Sequence, residues 1–283
     1  MIFFAYHLRD SHSIAEIVEG QSLRKGLLWD GKPAEICIDI KNNNADISLN
    51  VDGQDKDLQT QRIIELGNHM LGLQQNVEQF EEQYAAHPLI GPLIKRQQGL
   101  RIYQSSSSFE ALIWAIIGQQ ISVTAAVAIR RRFIQAVGTQ HSSGIWCFPS
   151  EQQVAAVDDE ALRLAGLSTS KIAAIRTLCE AIASQHVDLS SSVDNDNVQE
   201  FSQQLMSLKG IGPWTVSYAL LRGFNYLDGS LHGDVAVRRN LQTLLALEKQ
   251  PTAKETEKWL DDFSPWRALV GAHLWRSQSS AGY

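Results

Sequence analysis

Asp234 is the residue of this chain best placed to do chemistry by itself. It stands between Gly233 and a run, Val235-Ala236-Val237-Arg238-Arg239, that reads as a helix, so it lies at a helix head. An aspartate there caps the helix, accepting from the backbone N–H groups two or three residues on. The positive end of the helix also favours a carboxylate charge, and an anion held in that way can orient or deprotonate a water. Twenty-two residues before it is Gly212, within Leu208-Lys209-Gly210-Ile211-Gly212-Pro213-Trp214-Thr215-Val216-Ser217-Tyr218. This stretch predicts a tight turn and then a helix: Pro213 suits the first helical position and Gly223 suits the stop. The unpaired amides around Gly212 then form an anion site, the bland alternative being a helix–helix turn that binds nothing. Trp214 and Tyr218 are four apart and share one helix face, either as a core stripe or as an open aromatic surface.

The elements that must position these residues change character along the chain. Ile2-Phe3-Phe4-Ala5-Tyr6-His7-Leu8 reads as a strand, as do Leu27–Trp29, Ala34–Ile40 and Asp46–Val51. Turns at Trp29–Pro33, Lys41–Asn44 and Asp52-Gly53 separate them, and Ser13–Val18 reads as a short helix. From Asp57 the period is helical, with Ile63, Ile64, Leu66, Met70, Leu71 and Leu73 forming an apolar face. His87-Pro88 and Gly91-Pro92 mark a break, and after the possible N-caps Ser105–Ser108 the chain reads almost wholly helical. The expectation is an α+β protein: a small antiparallel sheet domain over residues 1–75, then an all-helical region over 76–283 with a cleft between its halves. Arg130-Arg131-Arg132 reads as a solvated face or, alternatively, as a phosphate contact.

The chain has 283 residues, 44% of them hydrophobic, enough for a sizeable core. It has no apolar run of about 18 residues, so no transmembrane helix is expected, and its start lacks the basic n-region of a signal peptide. Three cysteines cannot form a four-cysteine zinc site or iron–sulfur cluster, and point to a reducing cytoplasm. A net charge of −6 is awkward for a nucleic-acid binder. The charge is uneven, however: −5 over residues 1–100, −3 over 101–200 and +2 over 201–283. That pattern suits few phosphate contacts, with binding through backbone amides and DNA deformation.

Residues Met206 to Leu241 resemble the helix–hairpin–helix, Gly/Pro loop and aspartate of the base-excision DNA glycosylases, most nearly the bacterial DNA-3-methyladenine glycosylase II type. Phe109-Glu110-Ala111 through Ile117-Gly118-Gln119-Gln120-Ile121-Ser122 is similar to that family's Phe-Glu…Gly-Gln-x-x-Ser segment, and Ser264-Pro265-Trp266-Arg267 through His273-Leu274-Trp275 to its closing helix.

The resemblance implies a helix–hairpin–helix at about 204–223 and an N-terminal sheet domain that does no chemistry. It implies Asp234 as the catalytic carboxylate, facing the positive charge that builds on the sugar as the C–N bond breaks. Trp214, Tyr218 and Trp275 would form the pocket for a base rotated out of the duplex, and electron-rich rings select cationic bases. Lys209, Gly210, Ile211, Gly212 and Gln120 would meet DNA, Gln120 as the wedge filling the gap. In family members that also cut the backbone a lysine stands where Trp214 is, so a monofunctional enzyme that leaves an abasic site is expected. Val235 and Gly233 depart from the aromatic residue and second acid expected of near relatives, which leaves the lesion range open. The implied partner is damaged double-stranded DNA. No metal or cofactor is implied beyond a monovalent cation held by the hairpin carbonyls, and a monomer in the bacterial cytoplasm, associated with the nucleoid, is the simple expectation. Alternatives are a glycosylase for oxidised or deaminated bases and a non-catalytic DNA-binding hairpin.

Overall fold

The computed structural model describes residues 2–42, 44–53 and 60–277. Helix α1 (Ile2–His7) precedes four strands, β1 (Glu16–Glu19), β2 (Ser22–Trp29), β3 (Lys32–Lys41) and β4 (Asn44–Val51). Helices α2 (Thr60–Leu71), α3 (Val77–Tyr84), α4 (Gly91–Arg96), α5 (Ser108–Gly118) and α6 (Val123–Val137) follow. After two-residue strands β5 (Thr139–Gln140) and β6 (Trp146–Cys147) come α7 (Glu151–Ala156), α8 (Asp159–Leu164), α9 (Thr169–Ala183) and α10 (Val198–Ser207). The last four helices are α11 (Pro213–Gly223), α12 (Val235–Leu244), α13 (Ala253–Asp261) and α14 (Arg267–Arg276). The protein is α+β, with an N-terminal, mainly antiparallel sheet and a helical body.

Two expectations about the first twenty residues fail. Residues 2–7 form a helix rather than a strand; Phe3, Phe4 and His7 are buried, a 3/4/7 spacing that lies on one helical face. Residues 16–19 form strand β1 rather than a helix, paired with β2 as Val18↔Leu23 and Glu19↔Ser22 across a two-residue turn at Gly20, whose φ is +62°. That turn chemistry overrides the weak helical pattern. Of the apolar face expected on α2 and after it, Ile63, Met70 and Leu71 are buried, whereas Ile64 and Leu73 are exposed. The expected helical onset at Asp57 and the middle of the turn at Asn43 lie outside the described residues.

The sheet order is β4-β3-β2-β6-β5, with β1 also on β2. Strands β5 and β6 belong to the region expected to be all helical, so that expectation is corrected: β6 runs parallel to β2 at Gly26↔Cys147. A Cβ on Gly26 would lie 2.1 Å from the Trp146 carbonyl oxygen, so only glycine admits this strand.

One buried cluster of charges ties sheet to body. Lys25 of β2, 2% exposed, donates to Glu16 of β1 at 2.6 Å and to Glu110 of α5 at 2.8 Å. Arg130 of α6 donates to the same two carboxylates at 3.1 and 2.6 Å. Burial alone would raise the Glu110 carboxyl, but Lys25 and Arg130 outweigh it and hold it at about 2 rather than the usual 4.5. Glu16 is likewise held well below its usual value, against its burial, by Arg130 and Lys25. A depressed folded-state value means stability that is present above the unfolded value and lost as pH falls through the folded one. Acid should therefore loosen the sheet–body junction between pH 4.5 and about 2, read as a falling melting temperature by circular dichroism. A melting temperature flat across that window would contradict the assignment.

Two further cores fill the helical body. One joins α5 and α6 to α7–α11; the other joins α3 and α4 to the C-terminal helices. Helix α11 serves both: Val216, Ala219 and Leu220 enter the first, Tyr218 and Leu221 the second. The cleft opens where α11 crosses between them.

Candidate active site

Helices α10 and α11 form the hairpin, which begins at Val198, earlier than the expected 204. Ile211 donates its amide to the Leu208 carbonyl at 3.1 Å, closing the turn, and its side chain is buried in the core. Only Gly210 uses glycine's conformational freedom. Its φ is +89°, and a Cβ there would lie 2.7 Å from that of Ala174 on α9. Gly212 is extended and caps α11, with nothing within 4 Å of where a Cβ would be, so its backbone is open to close approach. Gly223 ends α11 without a left-handed cap. It is needed for packing instead, since a Cβ would lie 3.0 Å from Ser108 and Ala111 of α5.

Asp234 caps α12. Its Oδ1 accepts from the amides of Ala236 at 2.8 Å and Val237 at 3.0 Å. The sequence reading presented Trp214 and Trp275 as flat faces, but they also act as donors. The indole Nε1 of Trp275 donates to Oδ1 at 3.0 Å and that of Trp214 to Oδ2 at 3.1 Å. Oδ1 thus takes three described donors and Oδ2 one, leaving Oδ2 the oxygen with capacity for a further partner. Trp214 leans on Tyr218, ring centroids 5.5 Å apart. Tyr218 is buried, and burial pushes its phenol up, keeping it neutral.

These groups line one cleft of about 1100 Å³. It brings together Asp234, Trp214, Tyr218, Trp275, Gln120, Gly210, Ile211 and Gly212, every candidate except Lys209, which is exposed on the turn. Gln120 is exposed at the loop between α5 and α6 with φ +57°, a left-handed conformation uncommon outside glycine. The preceding Gln119 ties that loop to the hairpin, donating from Nε2 to the Gly210 carbonyl and the Thr215 hydroxyl, both at 2.9 Å. Sequence reasoning missed Gln119, as it missed Trp114 and Arg9, which also line the cleft. Trp114 was legible only as one apolar residue in a buried helix, and Arg9 arrives from the sheet unit by tertiary packing.

Other sequence candidates lie elsewhere. The arginine triplet on α6 is neither a solvated face nor a phosphate contact. Arg130 joins the buried cluster, Arg131 pairs with Asp10 at 2.8 Å, and Arg132 donates to the Ala165 carbonyl at 2.9 Å. His273 is buried against Phe80 and bonded to Gln97 at 3.0 Å, and burial lowers it to about 4. His232 contacts Ser230 and stays off the cleft.

Comparison with known proteins agrees with this geometry. The chain is 24% identical over 219 residues to a DNA-3-methyladenine glycosylase of Bacillus subtilis, covering 76% of this chain and 72% of that protein. It is 28% identical over 183 residues to DNA-3-methyladenine glycosylase 1 of Schizosaccharomyces pombe, covering 65% and 78%. Its fold is similar to that of the 3-methyladenine DNA-glycosylase from Archaeoglobus fulgidus, with a TM-score of 0.77 at 20% identity over 96% of this chain and 93% of that one. The family model for HhH-GPD superfamily base excision DNA repair proteins matches residues 113–265, from α5 to the start of α14. Over more than half its length, and with hairpin, Gly/Pro turn and aspartate in one cleft, the chain belongs to the HhH-GPD superfamily of base excision DNA repair proteins.

Proposed function

We propose that the protein is a monofunctional DNA glycosylase that everts alkylated bases of the 3-methyladenine type from duplex DNA and removes them by hydrolysis. The observation that carries this reading is the Asp234 carboxylate, gripped by two indole N–H groups at the mouth of an aromatic cleft. An everted base fits between the rings on α11 and Trp275 on α14. As the C1′–N bond breaks, its electron pair goes to the base and positive charge grows on the sugar, which Asp234 stabilises without having to reorient. Water then attacks C1′ and passes its proton to Oδ2. An alkylated purine already carries a positive charge, so it departs neutral and needs little help from a general acid. The amides at the head of α11 suit a backbone phosphate, and Gln120 is exposed where a wedge would enter.

Hydrolysis rather than lysine attack is supported by the lining of the cleft, which among the described residues includes no lysine. Lys171, lowered by its burial, donates to the Ile117 carbonyl at 2.7 Å, inside the protein. The test is a panel of duplexes, each with a single damaged base, scored for strand breaks after alkali and again with borohydride. Alkali-dependent breaks at alkylated bases and no trapped covalent adduct are expected. Efficient trapping would replace water with an amine nucleophile, and silence across the panel would leave only a DNA-binding hairpin.

A further inference from the structure

Arg9 belongs to the N-terminal unit, for which the sequence offered no part in the chemistry. The segment between α1 and β1 is pinned to the body: Asp10, 8% exposed, accepts from Arg131 of α6 at 2.8 Å and from the His12 amide at 3.1 Å. This brings the Arg9 guanidinium to the cleft wall, 4.2 Å from the ring centroid of Tyr6 and 5.7 Å from that of Trp114, within hydrogen-bonding reach of the Tyr218 hydroxyl. A second guanidinium, that of buried Arg222, lies 4.7 Å from Tyr6 and 6.0 Å from Trp275. Rings in and behind the cleft therefore already face resident cations.

Such a pocket is a poor host for a positively charged base, because the rings are engaged and like charges repel. It suits a neutral base, which is the harder one to expel. When C1′–N9 breaks in a neutral purine, the electron pair leaves negative charge on the departing base. A guanidinium that donates to a carbonyl oxygen of that base stabilises this charge. The attacking water's proton still goes to Asp234, and the departing anion takes a proton from solvent.

We propose that Arg9 is a specificity-determining residue that extends this cleft to neutral purines carrying a carbonyl acceptor, of the deaminated-adenine type. The proposal rests on the glycosylase reading above and adds that the N-terminal unit supplies a group facing the base. The test compares hypoxanthine with 3-methyladenine in matched duplexes, under single-turnover conditions, for wild type, Arg9→Gln and Arg9→Lys. Wild type should release both bases. Arg9→Gln should lose about tenfold or more on hypoxanthine, the scale of one charge-assisted hydrogen bond, and gain on 3-methyladenine. Arg9→Lys, which keeps the charge without the fork, should fall between. Parallel losses on both bases, or a wild type that releases 3-methyladenine and leaves hypoxanthine in place, would overturn the role of Arg9 with the proposed function intact. Release of neither base would sink both. If Arg9→Gln fails to fold, Arg9→Lys decides: an unchanged ratio of the two rates refutes the proposal.

Discussion

Asp234→Asn should cut base release roughly a thousandfold, about 4 kcal/mol of transition-state stabilisation, while duplex binding and melting temperature stay near wild type. Two effects separate cleanly here because this residue does two jobs. As a cap it accepts the amides of Ala236 and Val237, and asparagine caps a helix about as well as aspartate. As the anion facing the sugar it has no neutral substitute. The amide also presents N–H₂ where a carboxylate oxygen now accepts from an indole, so one of Trp214 and Trp275 meets a donor instead of an acceptor. Single-turnover release from a lesion-bearing duplex, paired with binding of the same duplex, measures both. Release within tenfold of wild type would mean that another group faces the sugar.

The largest effect on stability is expected at Lys25. Its Nζ is almost fully buried between Glu16 and Glu110. Methionine fills a similar volume but leaves two buried carboxylates sharing Arg130 alone. Breaking a buried pair by removing one partner costs about 3–5 kcal/mol. Lys25→Met should therefore lower the melting temperature by roughly 10 °C or more in a domain of this size. Adding Glu110→Gln should recover part of the loss, since the uncompensated charge is then gone. A Lys25→Met protein that melts with wild type would show that water reaches the cluster. The same cluster positions α1, β1 and the segment between them, so its loss should also disturb the cleft wall at Arg9.

The cleft reconciles an acidic protein with a polyanionic partner. Much of its positive charge is internal: Arg130, Arg131 and Arg222 are tied to carboxylates, carbonyls and rings rather than presented to solvent. What the hairpin offers a phosphate is backbone amide, which adds nothing to the net charge of −6. Modest salt dependence of duplex binding is consistent with this arrangement.

By itself, the sequence determined what local chemistry governs. Gly210-Ile211-Gly212-Pro213 specified the turn and the head of α11 because glycine and proline restrict the backbone in ways that need no distant partner. Asp234 was legible as a cap, and the 2-residue and 3.6-residue periods separated sheet from helices. Tertiary structure decided the rest. Residues 2–7 and 16–19 took the opposite forms from those expected because a short apolar run is ambiguous until burial and strand pairing choose. Arg130 became an internal ion because β2 delivered Lys25 and Glu110 lay on the neighbouring helix, more than a hundred residues away from any local pattern that included both ends of the network. Arg9, Trp114 and Gln119 joined the site only when three separated segments met at α11. A side chain's own neighbours in sequence set its backbone; which charge or ring it faces across a cleft is set by how whole elements pack, and a linear sequence does not display that.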